Sequence, residues 1–433
     1  MYDVIIAGGG AAGFYAAIQL ATEHPGLSIG IFERGKTVLG KVKVSGGGRC
    51  NVTHAAFNPT DLVNHYPRGK KELLGPFHSH ATGDVMEFFE TRGVPLKIEE
   101  DGRIFPVSDN SQSIIDCFLE EAERLGVRIL KNYAIKAINP LGNGKEGWRV
   151  TTKNKYYNCR YLVVATGSNP KIWEQLGGLG HHIVKPVPSL FTFNIADDRI
   201  KSIPGISTQA YVEVLPNNHL ASNIVVALKS KPVKKEAILT AEGPVLVTHW
   251  GLSGPAILKL SAWGALPLHA LNYTFKIRVN WVPEYTSASL FGLFLTVKDV
   301  EAKKTILKTK PVDLPRRLWT NLVKASGIST DLRWADASNQ VLQGLVEQLT
   351  QCVFRVEGKS TFKEEFVTAG GVDLKEINFK TFESKVLANL YFAGEVINVD
   401  AITGGFNFQN AWTGAFLAAK AIVAKEESLK DIG

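Results

Sequence analysis

The stretch K-V-S-G-G-G-R-C-N-V-T-H, residues 43–54, sets three glycines directly before Arg49, Cys50, Asn51 and Thr53. Bare backbone there lets N–H groups approach a ligand, and the side chains that follow offer a cation, a thiol and an amide. An equally spare loop opens the chain, where Gly8-x-Gly10-x-x-Gly13 follows the apolar run Val4–Ala7. In a strand–loop–helix unit the first glycine permits the tight turn and the second lets a pyrophosphate reach the main chain. The third lets helix and strand pack closely. A helix opening at Ala11 and Ala12 aims free N–H groups and its positive dipole end at such an anion. Glu33, 20 residues beyond Gly13, ends a second apolar run. Its carboxylate suits the two hydroxyls of an adenosine ribose and repels a 2′-phosphate, although Arg34 beside it softens that repulsion. These residues point to FAD or NAD rather than NADP.

Two later stretches separate FAD from NAD. R-Y-L-V-V-A-T-G-S-N-P (160–170) reads as a buried strand running into a Thr166-Gly167 turn. Residues 389–423 read as a strand ending in Gly394-Glu395, then a loop, then Gly404-Gly405 opening a helix through Phe406 and Asn407. A plain NAD dehydrogenase has no use for this return. A flavoprotein of the two-dinucleotide-fold type uses it to set an acid by the ribityl chain and a helix N-terminus by the flavin pyrimidine ring.

With these segments in order, and with D-G-R-I-F-P-V-S-D-N-S-Q-S-I, T-H-W-G-L-S-G-P-A-I-L and T-A-G-G-V-D-L-K-E-I-N between them, the chain resembles the BaiN/RdsA-type family of NAD(P)/FAD-dependent oxidoreductases. That family includes aminoacetone-oxidase-like and bile-acid-reductase-like flavoproteins. The resemblance implies an α/β fold: a Rossmann-like, two-dinucleotide-binding-type FAD domain built from both chain ends, interrupted by an inserted β-barrel plus helical domain. It also implies that Lys41, Ser45, Gly46, Gly47, Gly48, Arg49, Cys50 and Asn51 pass along the pyrophosphate and flavin. Arg49 would offset diphosphate charge, and Asn51 would hydrogen-bond the ring or fix the loop. The competing reading is a glycine turn with Arg49 in a surface ion pair. Asn51 and Arg103 are the candidates for a catalytic part, with an ion pair from a turn as the alternative for Arg103. An active thiol needs a depressed pKa and a partner, and no second cysteine is near Cys50 in sequence, so Cys50 is read as structural or merely flavin-adjacent.

The elements that must position these residues divide the 433-residue chain into three parts. Residues 1–188 form the first part of the FAD domain and 354–433 the second. Residues 189–353 are the insert, with a barrel over 191–310 and helices over 311–351. C-V-F-R-V-E-G (352–358) is expected to lead back into the FAD domain. His249 and Ser253 flank a helix start at Gly254-Pro255. Capping and packing explain them better than substrate contact.

A composition of 45% hydrophobic and 21% charged residues fits a soluble globular protein. Cys50, Cys117, Cys159 and Cys352 have no metal-ligand or dithiol spacing, so neither a metal site nor a disulfide framework is expected. Reduced thiols, no signal-like N-terminus and no apolar run near the ~20 residues of a membrane span suggest a cytoplasmic protein. The net charge of +8 is dispersed, with basic stretches at 229–236 and 301–310 that carry no aromatics for base stacking. The expectation is an enzyme with noncovalent FAD that moves hydride between flavin and a small organic substrate. NAD(P)H is an open candidate as transient donor, and oxygen as acceptor. A nucleic-acid partner is not expected. A flavoprotein acting on RNA and a flavin-binding regulatory protein remain the alternatives.

Overall fold

The structure, a computed structural model, describes residues 2–153, 155–216, 239–360 and 367–430. The basic stretch at 229–236 lies outside the described residues. Two compact units divide the chain: Met1–Val187 with Lys363–Gly433, and Pro188–Phe362.

In the first unit, strand β1 (Tyr2–Ala7) carries Val4, Ile5, Ile6 and Ala7, which have no exposed surface. Such an unbroken apolar run is what a strand covered on both faces requires. It pairs in parallel with β2 (Ile29–Phe32), Val4 opposite Ile29, and on its other side with Tyr156–Val164, Val4 opposite Tyr161. Leu390–Phe392 then joins that neighbour in parallel, with Leu390 opposite Leu162. Both chain ends therefore share one sheet, as a domain interrupted by an insert demands. Helix α1 (Ala11–Glu23) packs along the C-terminal helix Phe406–Lys430. Alanines at 12, 16 and 17 are buried on α1, and small side chains let two helices approach closely. Trp412 fills the layer beside them, 5.2 Å from the Tyr15 ring and 5.7 Å from Phe118. A small antiparallel sheet of Thr53–His54, Arg103–Pro106 and Leu96–Ile98 presents the residues after the glycine run.

The second unit holds a seven-stranded sheet, antiparallel in its pairings, among the described residues. It also holds a helical part whose core is built on fully buried Trp319 and Trp334. Two expectations are corrected here. Cys352–Glu357 does not return to the first unit: it pairs along its length with Thr274–Asn280, Cys352 opposite Val279 and Glu357 opposite Thr274. Its alternating burial is that of a strand with one face on a core. The division consequently falls near residue 362 and not at 353. Secondly, the span 191–310, expected as a barrel, also carries helices beyond the one expected at Gly254-Pro255, among them Ser287–Val300 with Thr286 as its N-cap. Among the described residues no helix is long and apolar enough to cross a membrane.

Candidate functional site

The loop between β1 and α1 shows three glycines with three different surroundings. A Cβ on Gly8, at φ +115°, would stand 2.4 Å from the Ala165 carbonyl oxygen; on Gly13 it would stand 2.0 Å from that of Gly8. Both positions are closed by backbone. A Cβ on Gly10 would meet nothing within 4 Å. The middle glycine thus leaves an open approach to the start of α1, where the first-turn N–H groups of Ala11, Ala12 and Gly13 have no intrahelical acceptor. This is the cradle a pyrophosphate needs.

Glu33 sits at the end of β2 with its carboxylate turned to that loop. Its two oxygens accept from the Gly9 N–H at 2.9 Å and the Gly35 N–H at 2.6 Å. An ionised carboxylate has about four acceptor sites, so both oxygens can still receive a ribose hydroxyl. Arg34 is exposed beside it.

The other segments converge on the same place. A Cβ on Gly394 would lie 3.4 Å from that of Ala12, and one on Gly167 would lie 3.6 Å from Glu395 Oε2. Lys41 forms an ion pair with Glu395 across 354 residues of sequence. Thr166 Oγ1, Ser168 Oγ, Asn398 Oδ1 and Asn410 Oδ1 are buried without a hydrogen-bond partner among the described residues. Buried polar atoms are normally paired, and this group lies on the two segments that were assigned to the cofactor.

The 45–51 loop is held by its own turns and by hydrogen bonds and ion pairs to neighbouring segments. Gly46, Gly47 and Gly48 all have positive φ, and Ser45 Oγ donates to the Val42 carbonyl at 2.8 Å. Asn51 is buried. In the amide orientation its neighbours require, it donates to the carbonyls of Thr53 at 2.9 Å and Ile104 at 3.2 Å, and accepts from the Gly405 N–H at 3.0 Å. It fixes the loop to the Gly404-Gly405 turn. A Cβ on Gly405 would come within 2.6 Å of the Thr53 backbone.

Arg49 and Arg103 are both paired with carboxylates in this structure. Arg49 donates to Glu99 at 2.6 Å and lies 3.4 Å from Asp109, with its guanidinium 3.9 Å above the Phe105 ring. Arg103 is paired with Asp101 at 2.7 Å and Glu99 at 3.3 Å. The carboxylates on Arg49 lie 50 and 60 residues beyond it and those on Arg103 within four, the arrangement the surface ion-pair reading describes. In the second unit, Ser253 Oγ accepts from Thr192 Oγ1 at 3.1 Å and ties two strands together, while His249 is exposed at a turn.

All four cysteines are free and buried. Burial pushes the Cys50 thiol up to about 12, the opposite of an activated nucleophile. Among the described residues, no group of three or more His, Cys, Asp or Glu could hold a metal ion.

Several residues at the site carry no sequence motif. Arg68 forms a bidentate ion pair with buried Asp400. The His65 and Phe406 rings stack at 4.1 Å, with His54 on the other contact at 4.6 Å. The one available signal was Asp400 itself, a charge inside the apolar run V-I-N-V-D-A-I, which burial would oblige to find a partner.

The open glycine loop, the acid at the end of β2 and the returning glycine-opened helix define a protein of the Rossmann dinucleotide-binding class. The chain matches the family described as HI0933-like protein Rossmann domain over residues 2–421, and belongs to it. It is 28% identical over 432 residues to the "Ribosomal RNA dihydrouridine synthase" of Haemophilus influenzae, covering 96% of this chain and 98% of that protein. It is 25% identical over 431 residues to the "3-dehydro-bile acid delta(4,6)-reductase" of Clostridium scindens, covering 97% and 99%. Among solved structures, the 3-ketosteroid-delta4-(5alpha)-dehydrogenase from Rhodococcus jostii RHA1 aligns with a TM-score of 0.49 at 14% identity, over 98% of this chain and 96% of that one.

Proposed function

We propose that this chain is an FAD-dependent oxidoreductase that reduces a carbon–carbon double bond conjugated to a carbonyl group in an organic substrate. The observation that carries the cofactor is the open approach at Gly10, with Glu33 and the Gly394-Glu395 turn around it. Bound there, FAD would supply hydride transfer at its ring system. Gly10 to Gly13 would hold its diphosphate and Glu33 its ribose. Thr166, Ser168 and Glu395 would meet the chain between, and the Gly404-Gly405 turn the ring. The substrate class is supported by the names of the two relatives. Read chemically, dihydrouridine formation and reduction of a 3-dehydro-Δ4,6 ring system both saturate a bond conjugated to a carbonyl.

A second reading places that bond in a base of RNA. The rRNA-modifying names of the Haemophilus influenzae and Escherichia coli relatives favour it, as does the net charge of +8. The expectation that nucleic acid plays no part finds no support in those names. RNA binding that weakens steeply with salt selects the second reading; turnover of a free enone with no RNA affinity selects the first.

The cofactor test is direct. Purified protein is expected to be yellow and to release FAD into the supernatant on acid precipitation. Flavin retained in the pellet would exclude noncovalent binding. Stopped-flow mixing with NADH and NADPH, followed by air or an enone, then identifies donor and acceptor.

A further inference from the structure

The Gly404-Gly405 turn is held from behind by H-Y-P-R-G, residues 65–69, a segment outside every glycine motif. Arg68 forks onto Asp400, Nε to Oδ1 and Nη2 to Oδ2, and the Asp400 side chain is 1% exposed. The backbones of the same two residues form an antiparallel bridge. On either side of the pair the contacts continue. A Cβ on Gly69 would stand 2.6 Å from Val399 Cγ2, and the Ile402 N–H donates to the His65 carbonyl at 3.1 Å. The Tyr66 hydroxyl donates to the Phe406 carbonyl at 2.6 Å. Asn407 folds its amide onto Ala401, accepting from its N–H at 3.0 Å and donating to its carbonyl at 3.2 Å. The loop 398–405 is therefore tied along its length and leads directly into the start of the C-terminal helix.

Packing and neutral hydrogen bonds would suffice to hold such a loop. A buried ion pair is costly to desolvate and is weak evidence of added stability; an apolar pair of similar volume is often neutral or better. What a bidentate guanidinium–carboxylate pair adds is direction. Its carboxylate lies five residues before Gly405, whose N–H is already held by Asn51.

We propose that Arg68 and Asp400 are positioning residues that aim the Gly404-Gly405 turn and the first N–H groups of the C-terminal helix at the cofactor ring, and so set its reduction potential. The inference rests on the FAD reading above. A positive helix end favours the more negatively charged, reduced form. Loosening the turn therefore lowers the potential.

The test uses holo-protein carrying Arg68→Met, Arg68→Lys, or the pair Arg68→Met with Asp400→Leu, which leaves no lone buried charge. FAD affinity, midpoint potential and melting temperature are measured for each. The relative affinity for reduced over oxidised FAD is expected to fall ten- to a hundredfold in Arg68→Met. For a two-electron couple that lowers the midpoint potential by about 30–60 mV. Arg68→Lys should recover part of it, and the double variant should keep its melting temperature while showing the same lowered potential. A double variant that retains FAD at the wild-type potential overturns the proposal and leaves the pair a structural clamp. A wild-type protein that binds no FAD overturns the FAD reading, and this inference with it.

Discussion

At Gly10 the fold and the ligand make separate demands on one atom. A Cβ there meets no protein atom within 4 Å, and the backbone, at φ −94° and ψ −170°, suits any L residue. Gly10→Val should therefore fold with nearly the wild-type melting temperature and lose FAD. Stoichiometric FAD in that variant would place the cofactor elsewhere. Gly13→Val differs because its Cβ would collide with the Gly8 carbonyl; it should fail to fold. Cys50 gives a second test at this scale. With its thiol buried and pushed up to about 12 by desolvation, Cys50 is held as the unreactive thiol at pH 8. Native protein should resist iodoacetamide at Cys50, as read by mass spectrometry, and modification within minutes would show an accessible thiol.

The 45–51 loop acts as an element because its end is anchored and its cation is spent. Asn51 makes three hydrogen bonds that join the loop to Gly405 and Ile104. Removing a partner from buried polar groups costs about 1–3 kcal/mol. Asn51→Ala is therefore expected to weaken FAD binding by about tenfold, taking roughly 1.4 kcal/mol per decade. Arg49→Ala removes a guanidinium already neutralised by Glu99 and Asp109, and should leave FAD affinity within about threefold. Titration of the two apo-proteins checks both. A hundredfold loss in Arg49→Ala would mean that the cation leaves its carboxylates for the diphosphate.

Across the whole molecule, the junction of both chain ends has a pH limit. His80 packs flat on Phe416 at 4.2 Å, lies 2.8 Å from the Tyr15 hydroxyl, and its carbonyl accepts from Thr413. Burial holds it neutral and pushes its pKa down to about 4, against a weaker opposing pull from Asp84. The unfolded chain takes up this proton near 6.5, earlier than the folded one. Stability from this group is thus complete above about pH 6.5 and declines as pH falls towards 4, by on the order of 3 kcal/mol. Urea unfolding of wild type and His80→Gln from pH 7 to 4 should show a shallower acid decline in the variant. Parallel slopes would mean that other groups govern acid unfolding.

Local chemistry made the dinucleotide half of this protein legible. A strand buried on both faces must be apolar throughout, and a phosphate loop needs glycine where the main chain turns or approaches, so Val4–Ala7, Gly8, Gly10, Gly13 and Glu33 carry their meaning within a few residues. The return of the chain to the same sheet at Leu390–Phe392, ahead of the C-terminal helix, was legible for the same reason. Other assignments depended on partners distant in sequence. Cys352–Glu357 alternates like a strand of either unit, and only its ladder with Thr274–Asn280 decided which one. Arg49 beside three glycines offers itself to phosphate until Glu99, Asp109 and Phe105 are brought around it. Arg68 and Asp400 lie 332 residues apart, and neither periodicity nor spacing links them. A buried charge announces that it must have a partner, but the identity of that partner is a property of the folded chain alone.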